Sequence, residues 1–159
     1  MDSPTDLKFL RLAIEKAKES VSKEGFPAGA IVVKDNKIIG EGISIGNILN
    51  DPTSHGEMAS IRDACKNLKT SDLSGSTLYA SMQPCVMCLS ASMWSSISKI
   101  IFACSREKVS EEYYGGKYNP NEINSKFIRP IELTYIPRLE KESLEIVHKW
   151  EKSQNEKAD

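Results

Sequence analysis

Four side chains in two short runs are able to do chemistry together: His55 and Glu57 in His55-Gly56-Glu57, and Cys85 and Cys88 in Pro84-Cys85-Val86-Met87-Cys88. Both runs fall where a helix is expected to begin. On a helix, Cys85 and Cys88 project from the same side, so both sulfurs can reach one ion. A helix N-terminus favours thiolate over thiol, which is the form that zinc takes. One imidazole and two thiolates leave the fourth tetrahedral position open, the coordination of a catalytic zinc rather than a structural one. One Zn2+ per chain on His55, Cys85 and Cys88 is therefore expected, where it would lower the pKa of water from about 15.7 toward roughly 7. Glu57, two positions past His55, can point into the same pocket without being a ligand. It is the expected proton carrier, taking a proton from water and returning it to a ring nitrogen and then to a departing amine. The products would be a carbonyl and ammonia.

Either run alone says less. Cys-x-x-Cys is also half of a zinc ribbon or a redox pair, but a ribbon needs a second Cys or His pair, and the only other histidine is His148. A redox pair leaves His55 and Glu57 unexplained. Cys65, on the apolar face of an expected helix, and Cys104, after the strand-like Ile100-Ile101-Phe102-Ala103, read as small buried residues.

The elements that must place these groups follow from periodicity. Ser3 as N-cap, Pro4 at the first helical position and Asp6 open a first helix with Leu7, Leu10, Ile14, Ala17 and Val21 on its apolar face, closed by Gly25 and Pro27. Residues 28–34 and 38–43, joined by Asp35-Asn36-Lys37, read as a hairpin. After a loop over 44–53, a second helix is expected from Ser54, with Met58, Ile61, Cys65 and Leu68 inward. A strand over 77–81, a third helix from Pro84 to Ser96 and a strand over 99–103 follow. Residues 105–129 read as a helix breaking into a long loop, 131–135 as a short strand and 139–152 as a terminal amphipathic helix. Alternation of this kind predicts an α/β fold, a mixed sheet between helices, in one domain over residues 1–159.

The totals exclude some classes. A chain of 159 residues, 40% apolar, is one ordinary domain that can fold without metal staples. With 21 basic and 22 acidic residues the net charge is −1, which gives no global reason for a nucleic-acid or membrane surface. The acidic, polar start Met1-Asp2-Ser3-Pro4-Thr5-Asp6 does not read as a targeting signal, and no apolar run nears the roughly 18 residues that span a bilayer. A cytoplasmic protein is the expectation.

The His-x-Glu and Pro-Cys-x-x-Cys runs are the signature of zinc nucleobase deaminases. The chain resembles the cytidine and deoxycytidylate deaminase superfamily over nearly its whole length, through Asp51-Pro52-Thr53 with the histidine run, Ile61-Arg62 with Ala64-Cys65-Lys66, and Leu78-Tyr79 to Leu89. The resemblance implies a cytidine-deaminase-like three-layer α/β/α sandwich with a five-stranded mixed sheet and, usually, a homodimer.

Within the superfamily, Cys88-Leu89-Ser90-Ala91-Ser92-Met93-Trp94 is most similar to the guanine deaminase branch, and Gly56 between His55 and Glu57 also occurs in the cytosine branch. A small-molecule base or nucleoside, guanine-like purine ahead of cytosine, is the expected substrate, with tRNA-specific adenosine deamination as the alternative. From Arg138 onward there are five Lys or Arg against six Asp or Glu, not the basic stripe that an RNA enzyme presents. The branch comparison points to Pro27, Ala28, Ser44, Asn47 and Tyr114 as substrate contacts. Ala28 stands where a bulkier Phe often lines the base pocket, Ser44 or Asn47 where an Asn reads the ring, and Tyr113 to Tyr118 where guanine deaminases carry an acidic pair. Trp94 is expected to pack its helix or a dimer partner, and Trp150 to anchor the last helix or carry it over the pocket. A zinc-stabilised binding protein without turnover is the reading from another class, against which Glu57 and the open coordination position weigh.

Overall fold

The computed structural model describes residues 2–158. Helix α1 (Pro4–Ser22) starts as its sequence dictates, with Ser3 Oγ accepting the Asp6 N–H at 3.3 Å and Pro4 in the first turn. Strands β1 (Phe26–Lys34) and β2 (Lys37–Ser44) form the hairpin. Its loop is two residues, one fewer than expected, because Asp35 and Asn36 both take positive φ, 51° and 59°, the left-handed pair a tight primed turn requires. There follow α2 (Gly46–Leu49), α3 (Gly56–Leu68), β3 (Thr77–Met82), α4 (Val86–Trp94), β4 (Lys99–Cys104), α5 (Pro120–Ser125), β5 (Glu132–Tyr135) and α6 (Glu140–Ala158).

The five strands lie in the order β2-β1-β3-β4-β5, with β1 antiparallel to β2 and to β3, and β3, β4 and β5 parallel. Alternation along β1 divides the core into two layers. Ile31 and Val33 pack with Leu10 and Ile14 of α1 and Ile146 of α6. Ala30 and Val32 face the other way, with Ile61 and Ala64 of α3 and Leu89 of α4. Leu10, Ile14, Ile31, Leu78, Leu89 and Ile100 are completely enclosed, each contributing about 1.5–3 kcal/mol by leaving water. The result is the α/β/α sandwich that the resemblance implies.

Helix α3 rests directly on β2. A Cβ at Gly42 would overlap the Gly56 carbonyl oxygen and the Ser60 nitrogen, and one at Gly40 would overlap the Ser60 carbonyl. Two glycines, two residues apart and so on one strand face, thus set the height at which α3 lies. At the other end of the hairpin the fully buried Ser20 Oγ donates to the Phe26 carbonyl at 2.6 Å and accepts the Ser44 N–H at 3.1 Å, fastening α1 to both strands.

Three expectations need correction. Residues 105–129 hold no long helix. They form 3-10 turns at Arg106–Lys108 and Glu111–Tyr114 before α5, with Gly115 and Gly116 at φ 73° and 140° ending the second turn. The loop after β2 contains the one-turn α2. Of the two places expected for Trp94, packing on its own helix does not hold, since it is the last residue of α4 and is 76% exposed. Cys104 is fully buried as expected, while Cys65 is only partly so. Among the described residues, no helix is long and apolar enough to cross a membrane.

Candidate active site

Both chemical runs occupy helix starts, the helices beginning at Gly56 and Val86, two residues later than expected. His55 is the N-cap residue of α3 and Cys85 the N-cap residue of α4, both with extended backbone, and neither side chain makes a capping hydrogen bond. Ser, Thr, Asp or Asn at those places would turn back to the helix N–H groups. Here the imidazole and the thiol point away and meet. His55 Nδ1 is 3.5 Å from Cys85 Sγ and 3.6 Å from Cys88 Sγ, and the two sulfurs are 3.7 Å apart. A tetrahedral zinc with Zn–S of about 2.3 Å and Zn–N of about 2.0–2.1 Å needs S–S edges near ~3.8 Å and S–N edges near ~3.6 Å. The three donor atoms already stand at the corners such an ion requires, and among the described residues they form a cluster able to hold a metal ion. Its donor set fits one Zn2+ per chain.

Glu57, in the first turn of α3, is 5% exposed, and its Oε2 lies 3.2 Å from Cys88 Sγ. Burial, reinforced by the charge on Cys85, pushes its carboxyl up to about 7. Contact with Cys88 lowers the Cys85 thiol to about 4, and the same contact, with burial, pushes Cys88 up. His55, in contact with Cys85, is shifted up. The start of α4 has a further prop from outside the sequence run: the Val86 N–H donates to the Tyr118 hydroxyl at 2.9 Å.

A cavity of about 590 Å³ opens on this cluster, lined by His55, Glu57 and Cys85. Of the expected substrate contacts, Ala28, Ser44, Asn47 and Tyr114 are on its wall. Pro27 is not; it is fully buried, and its neighbours Phe26 and Ala28 line the cavity instead. Asn47 Nδ2 donates to the Glu24 carbonyl at 2.9 Å, which leaves its oxygen as the free end of that amide. Tyr114 presents its ring, while its hydroxyl is buried without a partner.

The wall also has members that sequence reasoning passed over or left open. Trp150 and Gln154 reach it from α6, and Gln83 from the turn before Pro84. Trp150 anchors the last helix, the first of the two roles expected for it. It packs edge-on against Phe26 at 5.2 Å and Tyr113 at 6.3 Å between ring centres, and it lines the cavity. Tyr113 ties the same helix down by donating to Glu151 Oε2 at 2.6 Å. Gln83 adjoins the Pro-Cys run, a signal that could have singled it out.

Residues 3–104 match the family described as the cytidine and deoxycytidylate deaminase zinc-binding region. The tRNA-specific adenosine deaminase of Aquifex aeolicus (strain VF5) is 41% identical over 100 residues, 63% of this chain and 66% of that protein, just under two thirds of its length. The guanine deaminase of Bacillus subtilis (strain 168) is 37% identical over 130 residues, 81% of each chain. The X-ray structure of a guanine deaminase from Bacillus subtilis is similar with a TM-score of 0.65 at 31% identity, covering 96% of this chain and 95% of that one.

Proposed function

Since this chain belongs to the cytidine and deoxycytidylate deaminase family, we propose that it hydrolyses the exocyclic amine of a free nucleobase or nucleoside, guanine-like purine ahead of cytosine. The observation that carries this reading is Glu57: a buried carboxylate beside the three metal donors, opening on a cavity of base size. Zinc held by His55, Cys85 and Cys88 would act as a Lewis acid, making water acidic enough to attack at neutral pH. Glu57 takes one proton from that water as it adds to the amine-bearing carbon, and passes it to the adjacent ring nitrogen. It would then take the second proton, from the hydroxyl now on that carbon, and deliver it to the amine as the C–N bond breaks, so ammonia leaves and a carbonyl remains. Ala28, Ser44, Asn47 and the Tyr114 ring bound the space in which the ring is held.

The likeness to a guanine deaminase over 81% of both chains supports the small-molecule substrate, as does α6, which places Trp150 and Gln154 on the cavity wall and carries no basic excess. The 41% identity to a tRNA-specific adenosine deaminase supports the second reading, adenosine-to-inosine conversion in tRNA. Ammonia release from guanine, cytosine, adenine and their nucleosides, run beside inosine formation in an anticodon stem-loop, separates the two. Turnover of the stem-loop alone would overturn the small-molecule reading, and no turnover of any of them would overturn both.

A homodimer is part of the proposal. Trp94 and Ile128 are 76% and 84% exposed, and Arg129 Nη2, donating to the Met93 carbonyl at 3.1 Å, holds their two segments together. Adjacent large apolar side chains left in water are what an interface between copies would cover.

A further inference from the structure

Gln83 is fixed at three points. Its main-chain N–H donates to the Cys104 carbonyl at 2.8 Å, Pro84 follows it, and its side-chain Oε1 accepts the Arg106 main-chain N–H at 3.0 Å. An N–H can only donate, so the oxygen branch of the amide must face Arg106 and the NH2 branch must face elsewhere. That branch has no acceptor within hydrogen-bond distance among the described residues, and it is not one of the buried orphans, which are Ser76 Oγ, Arg106 Nη1 and the Tyr114 hydroxyl. The half-buried side chain lines the cavity, so the cavity is where Nε2 finds a partner.

Arg106 is itself held rigidly. Its guanidinium lies between the Tyr114 and Tyr118 rings, 4.7 and 4.3 Å from their centres, and its Nη2 donates to the Gly116 carbonyl at 2.6 Å. The other polar groups on the wall are less determinate. The Ser44 and Ser54 hydroxyls can rotate, and one of the two amide hydrogens of Asn47 already goes to Glu24.

We propose that Gln83 is a specificity-determining residue whose Nε2 donates a hydrogen bond to an acceptor on the ring being deaminated, a carbonyl oxygen or an unprotonated ring nitrogen, and that Arg106 is the positioning residue that fixes it. This rests on the deaminase reading above. A donor whose orientation is set before the substrate arrives discriminates against rings lacking an acceptor there, because the amide would be left unpaired.

The test uses the zinc-loaded full chain and the substrate that it turns over fastest among guanine, cytosine and adenosine. Gln83→Glu keeps the acceptor for the Arg106 N–H and removes both donors, and Gln83→Met removes the donors without adding charge. Both are expected to raise KM about tenfold or more, with kcat within about threefold and zinc content unchanged. Gln83→Glu should also keep the wild-type Tm, which a purely structural role would leave as its only effect. Arg106→Ala is expected to raise KM in the wild type and to add nothing to Gln83→Met. A KM within about twofold of wild type in Gln83→Glu overturns the proposal, as does a rise in Gln83→Glu alone, which would mark charge repulsion. A wild type that releases ammonia from none of the three overturns the deaminase reading itself, a distinguishable result.

Discussion

Glu57 Oε2 and Cys88 Sγ lie 3.2 Å apart although they belong to different helices, α3 and α4. That contact places the proposed proton carrier against a metal ligand without making it one. Glu57→Gln keeps the shape and removes the base, so kcat should fall by about 10²- to 10⁴-fold while metal analysis still finds one zinc per chain. Undiminished turnover in that variant would remove Glu57 from the mechanism.

Chelation should abolish turnover without unfolding the chain. The two apolar layers on either side of the sheet draw on α1, α3, α4 and α6, and they contain none of the three ligands. The metal-free protein is expected to keep its far-UV circular dichroism at 25 °C and to melt cooperatively at a lower temperature. Loss of structure on chelation at 25 °C would instead assign the metal a structural role.

Gly42→Ala should damage the site from a distance. The added Cβ meets the Gly56 carbonyl, so α3 must rise off β2 and carry His55 and Glu57 with it. A loss of about 1–3 kcal/mol in urea unfolding is expected, together with weaker zinc retention. The exposed Gly115, where nothing stands within reach of a Cβ but φ is 73°, offers a control that perturbs backbone alone.

Cys104 supplies a pH dependence outside the metal cluster. Burial pushes its thiol up to about 12. The folded state then holds its proton more tightly than the unfolded chain, so its contribution is intact below the ordinary thiol range and lost as pH rises toward 12. The urea midpoint of the wild type should fall more between pH 8 and pH 10.5, values spanning the ordinary thiol pKa of about 8.5, than that of Cys104→Ala. Equal slopes would contradict this.

If copies pair through the face around Trp94 and Ile128, sedimentation should find a dimer, and Trp94→Glu should yield monomers with the wild-type Tm. A wild type that sediments as a monomer at high concentration would end the dimer proposal.

The reactive atoms were legible because zinc chemistry constrains both residue type and spacing: His55, Glu57, Cys85 and Cys88 need only a helix start to converge, and caps and periodicity announce helix starts. The cavity wall was not legible to the same degree. Pro27 and Ala28 are neighbours in sequence, yet only Ala28 lines the cavity, at a stretch where the pairing with β2 shifts register between Phe26 and Gly29, and no local pattern announces that shift. Trp150 and Gln154 reach the cavity because of the rotation of α6 about its own axis, which is set by Glu151 bonding to Tyr113 and Ser143 bonding to Ser81. Such long-range bonds leave no local pattern. The stretch from Tyr113 to Tyr118 resisted reading for a related reason: its tyrosines serve three partners, Glu151, Arg106 and the start of α4.

The absence of a side-chain cap on α3 and α4 places catalysis and robustness in opposition at two positions. An engineer ranking substitutions by helix stability alone would install Asp or Ser at 55 and 85, since a cap adds about 0.5–2 kcal/mol. The improved protein would withstand heat and do nothing, because the two places where the scaffold is easiest to strengthen are the two where it grips its metal.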